Sequence, residues 1–195
     1  MENTKEKILT VALQLFARDG YEAVSVSRIA GELGMTKGAL YRHYQNKRDI
    51  FEHIVKRMEQ GDSEQAEKNN VPEEEMEKNP EKYQETTMED FLEYSKSMFK
   101  YWTEDDFASS FRKMLTLEQF RNEEMQGLYQ QYLASGPVGY VKDLFQSMGV
   151  ADADCKAVRF YAVMYLYYSI YDGAQDKEKV TKELEAALNE MIREF

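Results

Sequence analysis

The sequence predicts an all-α protein of about nine helices. Apolar residues recur every three or four positions along most of the chain, and no stretch alternates β-branched with polar residues as a half-buried strand would. Capping residues and glycine stops punctuate the pattern at helix-length intervals. At 195 residues the chain is long enough to bury a real core.

From Lys5 to Arg18, Ile8, Ala12, Leu15 and Phe16 share one face, with Thr4 as cap and Asp19-Gly20 as stop. Ser25 caps a second helix whose Ile29, Ala30 and Leu33 point inward, and Gly34 ends it. Thr36 caps a third, and Asn46 a fourth starting at Lys47. Gly61 to Asp90 carries eleven acids against three lysines, with Pro72, Pro80 and Asn69-Asn70, and reads as a solvated connector with broken helix. Its functional alternative is an acidic patch for a cationic partner. Thr87 and Asp90 form a capping box before Phe91, Tyr94, Met98, Tyr101 and Trp102. Thr103 and Asp106 repeat the device before Phe107, Phe111 and Met114. Met125, Leu128, Tyr129 and Tyr132 give another helix, Gly136-Pro137 breaks the chain, and Val141 to Met148 ends at Gly149. Asp152 caps a helix from about Ala153 to Tyr171, apolar nearly all round and therefore buried on more than one side. The last helix, about Glu178 to Phe195, carries a single apolar stripe through Leu184, Leu188 and Met191.

The net charge of −11 opposes a general affinity for nucleic acid. The charge is uneven, however: residues 1–57 carry ten basic and seven acidic side chains, and the remainder is strongly acidic. A polyanion-facing surface therefore belongs to the N-terminal part. One cysteine, Cys155, and two histidines, His43 and His53, exclude an internal disulfide and disfavour zinc, so neither metal nor cofactor is expected. The longest uncharged apolar run, Phe160 to Tyr171, is too short for a bilayer span, and the opening MENTKEKIL has no apolar signal region. A cytoplasmic protein with no membrane partner is the expectation.

The segment SVSRIAGELGMTKGALYRHYQNK, Ser25 to Lys47, has the spacing of a helix-turn-helix. Leu40 and Tyr44 turn to the core, while Lys37 with Tyr41, and Gly38 with Arg42, form outward rows. Gly38 and Ala39 allow close approach, and the polar, aromatic and basic outer face suits a DNA major groove. Tyr41 has two readings, phosphate contact beside Lys37 or packing against the first helix. Arg42 is the best base reader, since a guanidinium pairs with guanine O6 and N7, although it can also contact phosphate alone. His43 reads as an orienting or backbone-contacting residue. Lys47, with the amides beside Asn46, reads as a phosphate holder.

Residues Thr4 to Ile54, through ILTVALQLFARDGYEAVSV and IAGELGMTKGALYRHYQNKRDIF, resemble the DNA-binding domain of the tetracycline-repressor (TetR/AcrR) family of bacterial transcriptional regulators. The resemblance implies that Ser25, Thr36, Lys37, Tyr41 and Lys47 anchor phosphates and that Ser27, Arg28, Gly38, Ala39, Arg42 and His43 lie at or near base edges. Two departures stand out. Position 28 is often acidic in the family and closes a capping box with residue 25, which Arg28 cannot do; and Tyr44 replaces the usual Phe. Beyond Val55 the likeness is only in length, helicity and the two closing helices.

The implied organisation is a three-helix DNA-binding domain over residues 1–48, with its boundary inside the fourth helix at about 46–60. A larger helical ligand-binding and dimerisation domain follows over 49–195 and includes the acidic connector at about 61–86. A single short recognition helix reads few base pairs, so a homodimer on a double-stranded, palindromic operator is expected. Its candidate seam is Phe160, Met164, Tyr167, Tyr168, Leu184, Leu188 and Met191, the alternative being burial within one subunit. Met98, Tyr101, Trp102, Phe107, Phe111, Met114, Phe120, Met125, Tyr129 and Tyr132 are large and deformable, and suit either plain core or a pocket for a bulky apolar or aromatic effector. Glu93, Asp105, Asp106 and Glu118 near them would tolerate a cationic one. The segment Asp49 to Met58 would be the lever that transmits ligand binding.

The implied function is a ligand-responsive regulator, in most cases a repressor. The alternatives are a ligand-independent regulator or activator, or a helix-turn-helix that docks another protein. An enzyme is not expected: no nucleophile elbow, Walker loop, dinucleotide fingerprint or zinc-protease motif is present, and Glu73-Glu74-Glu75 and Glu104-Asp105-Asp106 lack the interleaved ligands of a calcium loop.

Overall fold

The computed structural model describes residues 4–73 and 75–195, and all regular structure among them is helical. Met1–Asn3 and Glu74 lie outside the described residues, and with them the first residues of the opening segment and the middle of the Glu73–Glu75 run. Eleven helical segments are found where about nine are expected. They divide into two compact units, one formed by 1–61 with 106–129, the other by 62–105 with 130–195.

The first unit contains α1 (Thr4–Asp19), α2 (Val26–Glu32), α3 (Lys37–Leu40), the first part of α4 (Lys47–Lys68), α7 (Asp106–Glu118) and the start of α8 (Glu123–Leu133). Helix α1 buries Ile8, Leu9, Ala12, Leu13, Leu15 and Phe16, and α7 packs on it through a face that includes Phe107, Phe111, Met114 and Leu115. The compact N-terminal unit thus reaches beyond the sequence boundary at 48–49, because the apolar stripe of α7 covers α1. Phe16, Tyr21 and Phe51 form a chain of ring contacts at 5.0 and 5.3 Å. Truncating a fully buried ring such as Phe16 to Ala costs about 3–5 kcal/mol.

The second unit contains α5 (Pro80–Glu85), α6 (Met88–Glu104), α9 (Ser135–Ser147), α10 (Ala153–Gly173) and α11 (Lys177–Arg193). Helix α10 packs against α6, α9 and α11. Phe91, Phe145 and Phe160 form the centre, with ring centroids 4.9–6.0 Å apart. The Thr87–Asp90 capping box is present on both sides: Asp90 N–H donates to Thr87 Oγ1 at 3.1 Å, and Thr87 N–H to Asp90 Oδ2 at 3.0 Å.

Several sequence expectations are corrected here. Thr103 does not cap α7: it lies inside α6, is buried, and donates its hydroxyl back to Phe99 O at 2.7 Å, so the break falls at Asp105. Asp152 precedes α10 in the left-handed conformation without a side-chain cap. Gly136-Pro137 opens α9 rather than separating helices, since a proline in the first turn forfeits no intrahelical donor. Gly136 is required there, because a Cβ would stand 2.0 Å from Gln131 O. The acidic connector is not simply solvated: α4 continues through Gly61 to Lys68, α5 forms at Pro80, and Val71, Pro72, Tyr83 and Thr86 are buried. Its apolar residues are few, but Ala66, Val71, Pro72 and Tyr83 are buried.

Candidate nucleic-acid interface

Local hydrogen bonding builds the helix-turn-helix. Ser25 Oγ accepts the Arg28 N–H at 3.2 Å and starts α2. Gly34 at φ +64° turns the chain, with Met35 N–H donating to Ala30 O at 2.9 Å. Thr36 Oγ1 then accepts Ala39 N–H at 3.1 Å to start α3. Leu40 and Tyr44 are buried beneath it. The Tyr44 hydroxyl donates to Lys5 O at 3.3 Å, which supplies the partner this departure from the family pattern needs. Burial first, and then the charges of Glu6 and Asp49, push its pKa up to about 12.

Lys37, Gly38, Tyr41 and Arg42 are all exposed, with Ala39 and His43 partly so. The Lys37 ammonium lies 5.5 Å from the Tyr41 ring centre, so these two share the outward row read from the spacing. Of the two readings of Tyr41, packing against α1 is disfavoured by its 43% exposure. Ser25, Ser27, Arg28 and Thr36 are exposed on the neighbouring edge. Arg28 is held there: its Nη2 is 2.8 Å from Asp19 Oδ2, so it pairs with the end of α1 in place of closing a box with Ser25.

Lys47 sits less freely than its sequence position suggests. Its ammonium donates to Tyr21 O at 2.8 Å, lies 4.2 Å from the Tyr21 ring centre and is 3.4 Å from Glu22 Oε2. Arg48 is bound to Glu124 by two hydrogen bonds, one of 2.6 Å, and to Glu52 at 2.8 Å. The Arg48 hydrogen bonds hold the Glu124 carboxyl below its ordinary range. The buried Glu118 carboxylate accepts Tyr21 N–H at 3.1 Å and pairs with Arg121 at 3.0 Å. Glu118, weighed in sequence as a charge near a ligand, thus clamps the turn between α1 and α2. His53 is occupied by Asp49 on its own helix, with Nδ1 2.8 Å from Asp49 O.

The ligand candidates belong to both units. Met98, Tyr101, Trp102 and Tyr132 belong to the second unit, where Trp102 meets Tyr101 at 5.9 Å and Tyr132 at 6.2 Å. Phe107, Phe111, Met114, Met125 and Tyr129 are buried in the first unit, where Phe107 lies under the Arg57 guanidinium at 5.4 Å. Phe120 is not core at all, with 87% of its surface exposed.

The seam candidates divide by burial. Phe160, Met164, Tyr168, Leu184 and Leu188 are buried within the subunit, leaving only Tyr167 and Met191 partly exposed. The opposite face of α10 carries the accessible apolar stripe: Val158, Ala162, Tyr165, Leu166 and Ile170, with Leu166 57% exposed. Sequence reasoning found the helix apolar all round but could not choose which face is outermost.

A four-residue outward helix held by two capped turns on a three-helix platform defines a helix-turn-helix of the DNA-binding class. Residues 8–54 match the tetR family of bacterial regulatory proteins. The N-terminal segment is 42% identical over 53 residues to the regulator AcrR of Shigella flexneri, covering 27% of this chain and 25% of that protein. It is 38% identical over 56 residues to an HTH-type transcriptional regulator of Staphylococcus aureus, covering 29% of this chain and 30% of that one. The alignments therefore span less than a third of these relatives. Over nearly the whole chain the fold is that of a TetR/AcrR-family regulator from Aquifex aeolicus, with TM-score 0.71, 18% identity, and 96% and 98% of the two chains covered. It is also that of SmeT, the repressor of a multidrug efflux pump in Stenotrophomonas maltophilia, with TM-score 0.63, 18% identity, and 98% and 90% covered. Residues 8–54 thus match the DNA-binding domain of the tetR family, and over nearly its whole length the chain takes the fold of solved TetR/AcrR-family regulators.

Proposed function

We propose that the chain is a transcriptional repressor that binds a palindromic operator as a homodimer and is released by a small, apolar or aromatic effector. The exposed row Lys37, Gly38, Tyr41 and Arg42 carries this reading: it offers a cation, a flat ring and a guanidinium on α3 and the turn that ends it, and Gly38 leaves room for a DNA backbone. In this reading Arg42, His43, Gly38, Ala39, Ser27 and Arg28 meet base edges, and Ser25, Thr36, Lys37, Tyr41 and Lys47 hold phosphates. Lys47 would leave the Tyr21 carbonyl to do so, exchanging one oxygen acceptor for another.

The dimer is supported by the outer stripe of α10, since four large apolar side chains on one helix face are costly to leave in water. Two reading heads on a closed dimer would meet half-sites about 34–36 Å apart, or a multiple of it. A ligand that favours a different head spacing weakens operator binding by its differential affinity. The cytoplasm is the compartment in which such a protein acts, and no helix among the described residues is long and apolar enough to cross a membrane. The test is selection of binding sites from a random duplex pool at near-physiological salt. Enrichment of an inverted repeat supports the proposal, and a folded, dimeric protein that enriches no sequence refutes it.

A further inference from the structure

The two cations that open α4 are both held by carboxylates, whereas those of the reading row are not. Lys47 has Glu22 beside it, and Arg48 has Glu52 and Glu124; among the described residues no carboxylate lies within ion-pairing distance of Lys37 or Arg42. Glu124 differs from the other two acids in origin. Glu22 and Glu52 belong to the helix-turn-helix segment itself, while Glu124 opens α8, 76 positions from its partner and outside the residues 8–54 that match the family.

The geometry of Arg48 is that of a fork held from behind. Its Nε donates to Glu52 Oε1 at 2.8 Å on its own helix, its guanidinium lies 5.6 Å from the Phe51 ring centre, and both Nη1 and Nη2 donate to the two carboxylate oxygens of Glu124. Two parallel N–H donors on one planar group fit an anion that presents a pair of oxygens, and a phosphate presents such a pair. Exchange of the anion at Nη1 and Nη2 leaves the contacts with Glu52 and Phe51 in place. Arg48 and Glu124 are each about half exposed, so the pair stands open to an approaching DNA backbone.

The position favours the same exchange. Lys47, read above as a phosphate holder, precedes Arg48 at the start of α4, and the two share Tyr21: the Lys47 ammonium lies 4.2 Å from its ring centre, while burial first, and then the charges of Arg48, Glu22, Glu124 and Glu52, act on its hydroxyl. Two cations against these three carboxylates leave the patch acidic, and as it stands it repels a polyanion.

We propose that Glu124 is a built-in competitor for DNA: it holds the Arg48 fork in the free protein and yields it to a backbone phosphate, so that Arg48 is a DNA contact beside Lys47. This rests on the DNA-binding reading above and adds to it one contact and the group that opposes it. Phosphate binding at Arg48 and the grip of α8 on α4 then exclude one another. The ion pair lost on binding lowers the affinity for every duplex alike, because phosphate contacts carry no sequence.

The test is a double-variant cycle on the full chain, read by fluorescence anisotropy with a labelled duplex of random sequence over a series of low salt concentrations. Circular dichroism melting checks that each variant is folded. Glu124→Gln should bind the duplex about two- to fivefold more tightly than the unsubstituted chain, the range of an exposed ion pair that no longer has to break. Arg48→Ala should bind more weakly and lower the salt slope by about one, and Arg48→Lys, which keeps the charge and loses the fork, should retain the slope. The gain from Glu124→Gln should vanish where Arg48→Ala is already present, because the carboxylate then competes for nothing. An equal gain in both backgrounds means that Glu124 acts by charge repulsion alone and overturns the proposal, as does a folded Arg48→Ala with an unchanged salt slope or a folded Glu124→Gln that binds no more tightly. An unsubstituted chain that binds no duplex even at low salt removes the DNA-binding reading together with this one, whereas one that binds as its variants do removes this one alone.

Discussion

Leu166 on the outer face of α10 offers a direct test of the dimer, because its contribution to the subunit and to an interface can be separated. It is 57% exposed, so the subunit loses little packing when it is truncated. Burying a whole leucine is worth roughly 1.5–3 kcal/mol, and a little over half of that remains to be gained by covering this one. Because a two-fold interface uses the residue twice, Leu166→Ala should weaken dimerisation by about 2–3 kcal/mol, a factor of roughly 30–150 in the dissociation constant. Sedimentation equilibrium over a range of concentrations measures it, with circular dichroism melting at high concentration as the control for folding. The contrasting variant is Leu188→Ala, fully buried within the subunit, which should cost about 2–5 kcal/mol of fold stability. A Leu166→Ala protein with an unchanged dimer constant refutes the outer stripe as the seam.

Further variants test the interface and the scaffold. Arg42→Ala should relax base preference at one operator position, whereas Lys47→Ala should weaken all duplexes nearly equally and lower the salt slope by about one; indistinguishable effects in a salt-titrated anisotropy assay would remove the assigned roles. Lys47→Ala should also lower the melting temperature, since the ammonium bonds Tyr21 O and covers its ring. Gly136→Ala forces a Cβ against Gln131 O and should destabilise the fold by about 1–3 kcal/mol in urea unfolding. Glu124 has its carboxyl held down by Arg48, so it contributes stability that is present above its ordinary value of 4.5 and lost as pH falls through the lower folded value. Glu124→Gln should therefore flatten part of the acid limb of the stability curve below pH 4.5, and an unchanged limb would show that the ion pair contributes nothing.

Much of the reading head was legible because its signals are local. Ser25, Gly34 and Thr36 each act within three or four residues, so spacing alone places the turn and the outward row. What sequence could not give depends on distant partners. Arg28 finds Asp19, Lys47 finds the Tyr21 carbonyl, and Glu118 binds a backbone N–H 97 residues earlier; none of these pairings leaves a periodic trace. On α10 the difficulty is phase. A helix apolar on all sides has no strong moment, so the inner face with Phe160 and Met164 and the outer face with Val158 and Leu166 read alike until neighbours cover one of them. The connector misleads for the opposite reason: average composition hides the few residues, Val71, Pro72 and Tyr83, that face inward.

The same long-range contacts bear on how an effector would act on DNA binding. Within the first unit, the helix-turn-helix is held by more than its own three helices. Glu118 at the end of α7 clamps the α1–α2 turn through Tyr21 N–H, and Glu124 at the start of α8 grips Arg48 at the start of α4. The chain passes between the two units within α4, at Asp105–Asp106 and within α8. Asp105 is the one interruption among these three crossings, since the other two fall inside continuous helices. The segment from Asp49 to Met58, read from sequence as a lever, is the stretch of α4 between Lys47 and the point after Gly61 at which that helix passes into the second unit, and the Arg48–Glu124 pair ties its start to α8 within the first unit.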